Sequence, residues 1–249
     1  MEVVFQAMSP MNSLDIALKP GESIDPIDSG RLRIIQSVEG YRFSMDALLL
    51  AEFVTVRPGD TVVDLGTGCG IISLVLLETK TPRYIHGLEI QPELASQSRR
   101  NMALNGYQDR AAVVLGDIRQ SPFKPDSVDV VVCNPPYQEK EGGRINPDSQ
   151  RAIARHEMLA TIDDILGSAR RLLKVTGRFA MVYPVERIVD VLVKMRGFDL
   201  EPKRMEFVYF GPRCEGKRVL IEAHLRGGKG LRLLPPRFES GRPTTSCPT

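Results

Sequence analysis

The stretch "VVDLGTGCGIISLVLL", Val62 to Leu77, constrains the fold more than any other. It is a β-branched apolar run that reaches an acid, then Gly66, Gly68 and Gly70, then a second apolar run of helix length. A strand that turns at once into a helix needs backbone positions of positive φ, which glycine adopts without the penalty of a Cβ. The unit is therefore β-turn-α, and the chain repeats it. Hydrophobic patterning places strands at 61–65, 84–90, 111–116 and 128–133 and helices at 70–78 and 92–105. Strands separated by helix-length segments predict an α/β protein with a doubly wound, mostly parallel sheet.

The alternation continues with a helix at 162–174, a strand at 177–183 and a helix at 186–195, then breaks. Strands at 203–210 and 218–225 are joined by "GPRCEG" with no helix between them, which predicts an antiparallel pair at one side of the sheet. Ahead of the first strand, 32–36 and 41–43 flank "SVEG" and suggest a small hairpin. A short helix at 45–54 follows, with Ser44 placed to cap it. The organisation expected is an extension of hairpin and helix over 1–57, a main domain over 58–235, and a tail over 236–249 whose Pro, Ser and Thr content is that of a flexible segment.

At 249 residues and 42% apolar content, the chain can bury a proper core. Net charge is +2 but uneven: residues 200–249 hold ten Lys and Arg against five Glu, leaving about −3 for the rest. That asymmetry permits a polyanionic partner, although a basic face is also an ordinary solvated surface. Cys69, Cys133, Cys214 and Cys247 form no C-x-x-C pair and have no histidine at metal-ligand spacing, so reduced thiols and no metal are expected. No leader-like segment and no apolar run of about 20 residues is present, which points to the cytoplasm and away from a membrane.

Ligands of open parallel sheets bind at the carboxyl ends of the strands, where the glycine turn lies. Three acids stand at such ends in succession: Asp64, Glu89 and Asp117. Glu89, about 20 residues past the glycines, has the position from which a carboxylate accepts hydrogen bonds from ribose hydroxyls. Asp117, or the amide after it, is placed to meet an adenine edge. The bland reading of each is a helix-capping or solvent-facing carboxylate, and that of the glycines is a tight strand-to-helix turn. The spacing G-T-G-C-G is not the dinucleotide pattern G-x-G-x-x-G. Asp64 to Gly70, Glu89 and Asp117 resemble the motifs of class I methyltransferases. The resemblance implies a Rossmann-like, seven-stranded, mostly parallel sheet and S-adenosyl-L-methionine as cofactor.

The strand at 128–133 then runs into Asn134-Pro135-Pro136-Tyr137. This tetrapeptide suits methylation of a planar amino nitrogen, whose lone pair is delocalised and weakly nucleophilic. The Asn134 side-chain oxygen and the Pro135 carbonyl, aimed at the amino hydrogens, would favour the pyramidal form and stabilise charge developing on nitrogen. The prolines fix φ, and Tyr137 offers a flat face for a base. The motif resembles the catalytic motif of amino methyltransferases, which act on adenine N6, guanine N2, cytosine N4 or the glutamine amide.

"IIQSVEGYRFSMDALLLAEF", "ARHE" and "LIEAHLRGGKGLRLLPP" together resemble the bacterial adenine-N6 methyltransferases that modify the adenosine 3′ of the anticodon of a valine tRNA. The likeness runs from about residue 32 to 236. It implies that Tyr41, Arg42, Phe43 and Asp46 close over the cofactor and target, that Arg155 and His156 lie near substrate entry, and that the substrate is tRNA. A loop adenine is already partly unstacked, which lowers the cost of presenting it to a pocket. Lys203, Arg204, Arg213, Lys217, Arg218 and Arg226 are candidates for phosphate contacts. Guanine-N2 methylation of rRNA, glutamine-N5 methylation of a protein, and a binding module without turnover stay as alternatives. The glutamine enzymes usually carry an N-terminal helical domain, and only about 30 residues precede the hairpin expected here. Oligomeric state is not encoded in any of these motifs.

Overall fold

A computed structural model describes residues 16–39, 42–135, 160–211 and 214–239. Its centre is a nine-stranded sheet. The parallel strands that build the site are β3 (Thr61–Leu65), β4 (Tyr84–Glu89), β5 (Ala111–Leu115) and β6 (Val128–Cys133), with α2 (Ile71–Thr79) and α3 (Pro92–Leu104) between the first three. The chain then forms α4 (Ile162–Leu172), β7 (Leu173–Pro184), α5 (Ile188–Gly197), β8 (Leu200–Tyr209) and β9 (Gly216–Leu225). Across the sheet the order is β5, β4, β3, β6, β7, β9, β8. The expected mostly parallel sheet is present, and β9 is antiparallel to both its neighbours.

Period-two burial divides the core between the two faces of the sheet. Val62, Val130, Val132, Ala180 and Leu220 face one apolar layer, which they share with α2 and with α1 (Met45–Phe53). Val63, Val131, Cys133, Phe179 and Ile221 face the other, against α4 and α5. Because both faces of β6 are covered, "VDVVVC" reads as a nearly unbroken apolar run. Every residue of α2 from Ile71 to Leu77 is buried. By contrast α4 is two-sided and well delimited: Thr161 and Asp164 form a reciprocal capping box, and Arg170 and Arg171 occupy its last turn, where cations offset the helix dipole.

Several expectations change. The expected antiparallel pair of β8 and β9 does lie at one side of the sheet, and within it β9 is the inner strand, between β7 and β8. Two further strands, β10 (Arg232–Leu233) and β11 (Arg237–Phe238), pair in parallel with β8, so Arg237 and Phe238, expected in the tail, lie at the sheet edge. The hairpin is formed by β1 (Glu22–Ile27) and β2 (Leu32–Ser37), not by 32–36 with 41–43. Its turn uses Asp28 and Ser29 at positive φ and Gly30 at φ 89°, a sequence-local signal outweighed by the apparent turn at "SVEG". Ser44 is the N-cap of α1 by its dihedrals, yet its side chain makes no capping bond. Helix α4 ends at Leu172 and β7 starts at once at Leu173, which pairs with Val128; an irregularity with Thr176 at φ 66° then separates this pair from the regular ladder that resumes at Arg178. Cys69 and Cys133 are free and buried, and Cys247 lies outside the described residues.

Candidate functional site

The carboxyl ends of β5, β4, β3 and β6 lie side by side and bring the sequence-predicted residues to one edge. Leu65 pairs with Cys133, so the glycine turn after β3 and Asn134 after β6 leave adjacent strands together. The turn is fixed by its neighbour: the Gly66 and Thr67 N–H groups donate to the Leu88 carbonyl at 2.8 and 3.0 Å. Gly66, Gly68 and Gly70 all have positive φ (71°, 58° and 88°), which explains the three glycines.

These glycines differ in their surroundings. A Cβ on Gly66 would meet nothing within 4 Å, so a ligand can approach the backbone there. On Gly70 it would lie 2.4 Å from Ser98 Oγ and 2.8 Å from Met102 Cε, so the loop abuts α3 directly.

Asp64 is fully buried; its Oδ2 accepts from the Thr67 and Ser73 hydroxyls at 2.7 and 2.8 Å. Its Oδ1 has no partner among the described residues. Burial pushes its carboxyl up to about 6, beyond what the two hydroxyls offset. Glu89 is buried too and bridges two backbone amides, with Oε2 accepting from Gly68 and Oε1 from Gln91, both at 2.9 Å. Burial raises its pKa, and those amides pull the other way. Two buried acids, one with an orphan oxygen, beside an open glycine backbone fit a ligand that carries positive charge and hydroxyl donors.

Asp117 is next in line, since the Gly116 N–H donates to the Glu89 carbonyl at 2.9 Å. Its carboxylate caps a 3-10 turn, accepting from the Arg119 N–H at 2.8 Å and from Arg119 Nε at 2.9 and 3.0 Å. The Arg119 guanidinium holds this carboxyl below the usual range. At the other end of the row, Pro135 is buried and Asn134 half-buried. Cys69 and Cys133 flank the site as inert thiols: burial drives the first up to about 12 and raises the second as well.

The residues expected to close over the pocket are placed less directly. Arg42 donates to Asp25 on β1 at 2.5 Å and to the Ser37 carbonyl at 3.2 Å. Phe43 packs against the first apolar layer. Asp46 is buried and accepts from Arg218 Nε at 2.9 Å, tying α1 to the start of β9. Tyr41, Pro136, Tyr137, Arg155, His156 and Arg213 lie outside the described residues. Thr67, Ser73, Gln91, Ser98 and Asn101 were not singled out in the sequence. Only Asn101 in "RRNMALNG", an asparagine inside a helix, carried a signal for the last of them.

Among the described residues, no group of three or more His, Cys, Asp or Glu has the arrangement of a metal site.

Residues 57–205 match a family model described as a methyltransferase domain. The chain is 30% identical over 200 residues to a Porphyromonas gingivalis protein named tRNA1(Val) (adenine(37)-N6)-methyltransferase, covering 77% of this chain and 78% of that one. It is 34% identical over 177 residues to the Phocaeicola vulgatus protein of the same name, covering 71% and 74%. Among solved structures, a predicted O-methyltransferase from Agrobacterium tumefaciens aligns at TM-score 0.63 and 18% identity over 82% of this chain and 92% of that one. A geranyl diphosphate methyltransferase in complex with SAM aligns at TM-score 0.52 and 17% identity, over 72% and 84%. At such identities the structural likeness is one of fold.

Proposed function

The chain belongs to the methyltransferase domain family, and from that premise we propose that it methylates the N6 amino group of an adenine in tRNA, the adenosine 3′ of the anticodon of a valine tRNA. It is an S-adenosylmethionine-dependent methyltransferase. The observation that carries the substrate is the identity of 30–34% over 71–77% of the chain to relatives named for that reaction.

When bound, S-adenosylmethionine supplies a methyl group on a positively charged sulfur. We assign Glu89 to the ribose hydroxyls, since its carboxylate already stands at the strand end beside the glycine turn. The Asp117 carboxylate is engaged by Arg119, which supports assigning the adenine edge to the backbone after Asp117. The open face at Gly66 and the buried charge of Asp64 suit the methionine end. We assign Asn134 Oδ1 and the Pro135 carbonyl as acceptors for the target amino hydrogens and Tyr137 as the stacking face. The acceptors raise the nucleophilicity of nitrogen and stabilise the charge it gains. No strong base is needed, because the alkylated amino group is acidic enough to lose its proton to water. We place the reaction in the cytoplasm with its tRNA; among the described residues, no helix is long and apolar enough to cross a membrane.

The test is incubation with labelled S-adenosylmethionine and total tRNA, followed by digestion to nucleosides. Label in N6-methyladenosine is expected. Label in N2-methylguanosine or in protein, or cofactor binding without transfer, would overturn the assignment.

A further inference from the structure

Three hydrogen bonds meet at one buried side chain on α3. Asn101 Oδ1 accepts the Ile35 N–H at 2.6 Å, and its Nδ2 donates to the Ile35 carbonyl at 3.0 Å and to the Cys69 carbonyl at 2.8 Å. Ile35 lies in β2 of the N-terminal hairpin, and Cys69 lies between the second and third glycines of the turn. A primary carboxamide has two N–H donors and one acceptor oxygen, and here each is used. In a site this buried, a carbonyl left without its donor incurs its full desolvation cost.

Asn105, one turn further along the helix, makes the same pair of bonds to β2 without reaching the turn. Its Oδ1 accepts the Arg33 N–H at 2.9 Å, and its Nδ2 donates to the Arg33 carbonyl at 2.7 Å and to the Asn101 carbonyl at 2.8 Å. The glycine turn is thus held from two sides. Glu89 takes the Gly68 N–H, and Asn101 supplies a proton to the next carbonyl. The contact of Gly70 with Ser98 and Met102 leaves little room for the turn to adjust without α3.

We infer that Asn101 is a positioning residue for the cofactor turn, and that the N-terminal hairpin and the cofactor are thermodynamically linked through its carboxamide. The inference rests on the cofactor reading above. Linkage is reciprocal: if an ordered hairpin tightens cofactor binding, the bound cofactor must protect the hairpin to the same degree. Asn105 provides the internal control, since it holds the same strand but has no bond to the turn.

The experiment uses S-adenosylhomocysteine, which has no methyl group to transfer, and the full-length protein. Calorimetry should show binding weakened about tenfold by Asn101→Ala, the scale of one lost buried hydrogen bond, and less than about twofold by Asn105→Ala. Both variants should lower the urea midpoint. Equal weakening by the two would reduce Asn101 to a general stabiliser of the hairpin and overturn the inference, as would unchanged binding by Asn101→Ala. Should that variant fail to fold, hydrogen exchange on the wild type decides: S-adenosylhomocysteine must slow exchange at the Ile35 amide, and no change there overturns the linkage. Wild-type protein that binds no S-adenosylhomocysteine at all would instead sink the cofactor reading, and the linkage with it.

Discussion

At the scale of single residues, the site separates groups that shape the cofactor turn from groups assigned to the reacting nitrogen. Asn134 leaves β6 beside the glycine turn but belongs to a different strand, so its loss should leave the turn intact. Asn134→Ala is expected to lower turnover by a factor of about 10² or more and to change cofactor affinity less than about twofold, as when one transition-state acceptor is removed. Single-turnover rates at saturating cofactor measure this, and an unchanged rate would remove Asn134 from the reaction. Asp64 makes a prediction of another kind, because its carboxyl titrates near 6 when folded while a free aspartate titrates near 3.8. Below about pH 3 both states hold the proton and the shift costs the fold nothing. As pH rises the unfolded chain ionises first, so Asp64 makes the fold progressively less stable, by on the order of 3 kcal/mol once pH exceeds about 6. Relative to wild type, Asp64→Asn should therefore gain about 3 kcal/mol of unfolding free energy between about pH 3 and pH 7, on top of any constant offset. Parallel urea-derived curves for the two proteins would mean that Asp64 ionises as an ordinary aspartate.

At the scale of elements, helix α3 connects the sheet to the hairpin. Besides Asn101 and the capping Asn105 it presents Arg100, which pairs with Glu22 of β1 through both terminal guanidinium nitrogens at 2.6 and 2.5 Å. Only 5% and 10% of the two side chains is exposed. The Arg100 guanidinium holds the Glu22 carboxyl down to about 2, against the burial that would raise it. Removing the acid strands a buried cation, so Glu22→Ala should cost on the order of 3 kcal/mol, read from urea unfolding; a loss under about 1 kcal/mol would show that water reaches Arg100. None of this was legible in the sequence. β1 carries Asp25 and Pro26 in a six-residue strand, which obscures its alternation, and its partners are polar groups on a helix about 75 residues away. β3 and β6 were legible because burial on both faces writes a nearly continuous apolar run, and the glycine turn because its backbone geometry demands glycine. The insertion of β9 between β7 and β8 was not, since a pattern of apolar residues records burial and not which neighbour provides it.

At the scale of the whole molecule, the basic excess of residues 200–249 has a different meaning once the partners are known. Arg204 binds Glu222, Arg218 binds Asp46, and Arg237 binds both Glu206 and Glu52, so these cations tie β8, β9 and β11 to α1 and to one another. Lys203 is directed to the Gly228 carbonyl. The charge read from the sequence as a polyanion surface is in large part internal structure, a distinction that composition cannot make because it counts charges without their partners. Of the six candidates for phosphate contacts, Lys217 and Arg226 remain as exposed, described residues. They lie at opposite ends of β9. Lys217 adjoins Arg218, which pairs with Pro184 at the carboxyl end of β7, the edge at which Asn134 stands. Arg226 follows Leu225, which pairs with Leu200 at the amino end of β8, across the sheet from the site. A tRNA whose anticodon loop enters at the Asn134 edge passes Lys217 and not Arg226. Each phosphate contact contributes close to one counterion to the dependence of log binding constant on log salt, so Lys217→Ala should reduce that slope by about 1 and Arg226→Ala should leave it unchanged. Filter binding of tRNA across a salt series measures both slopes. An effect of Arg226→Ala equal to that of Lys217→Ala would mean that the RNA also wraps the amino ends of the strands, a far larger footprint than one anticodon loop at this edge requires.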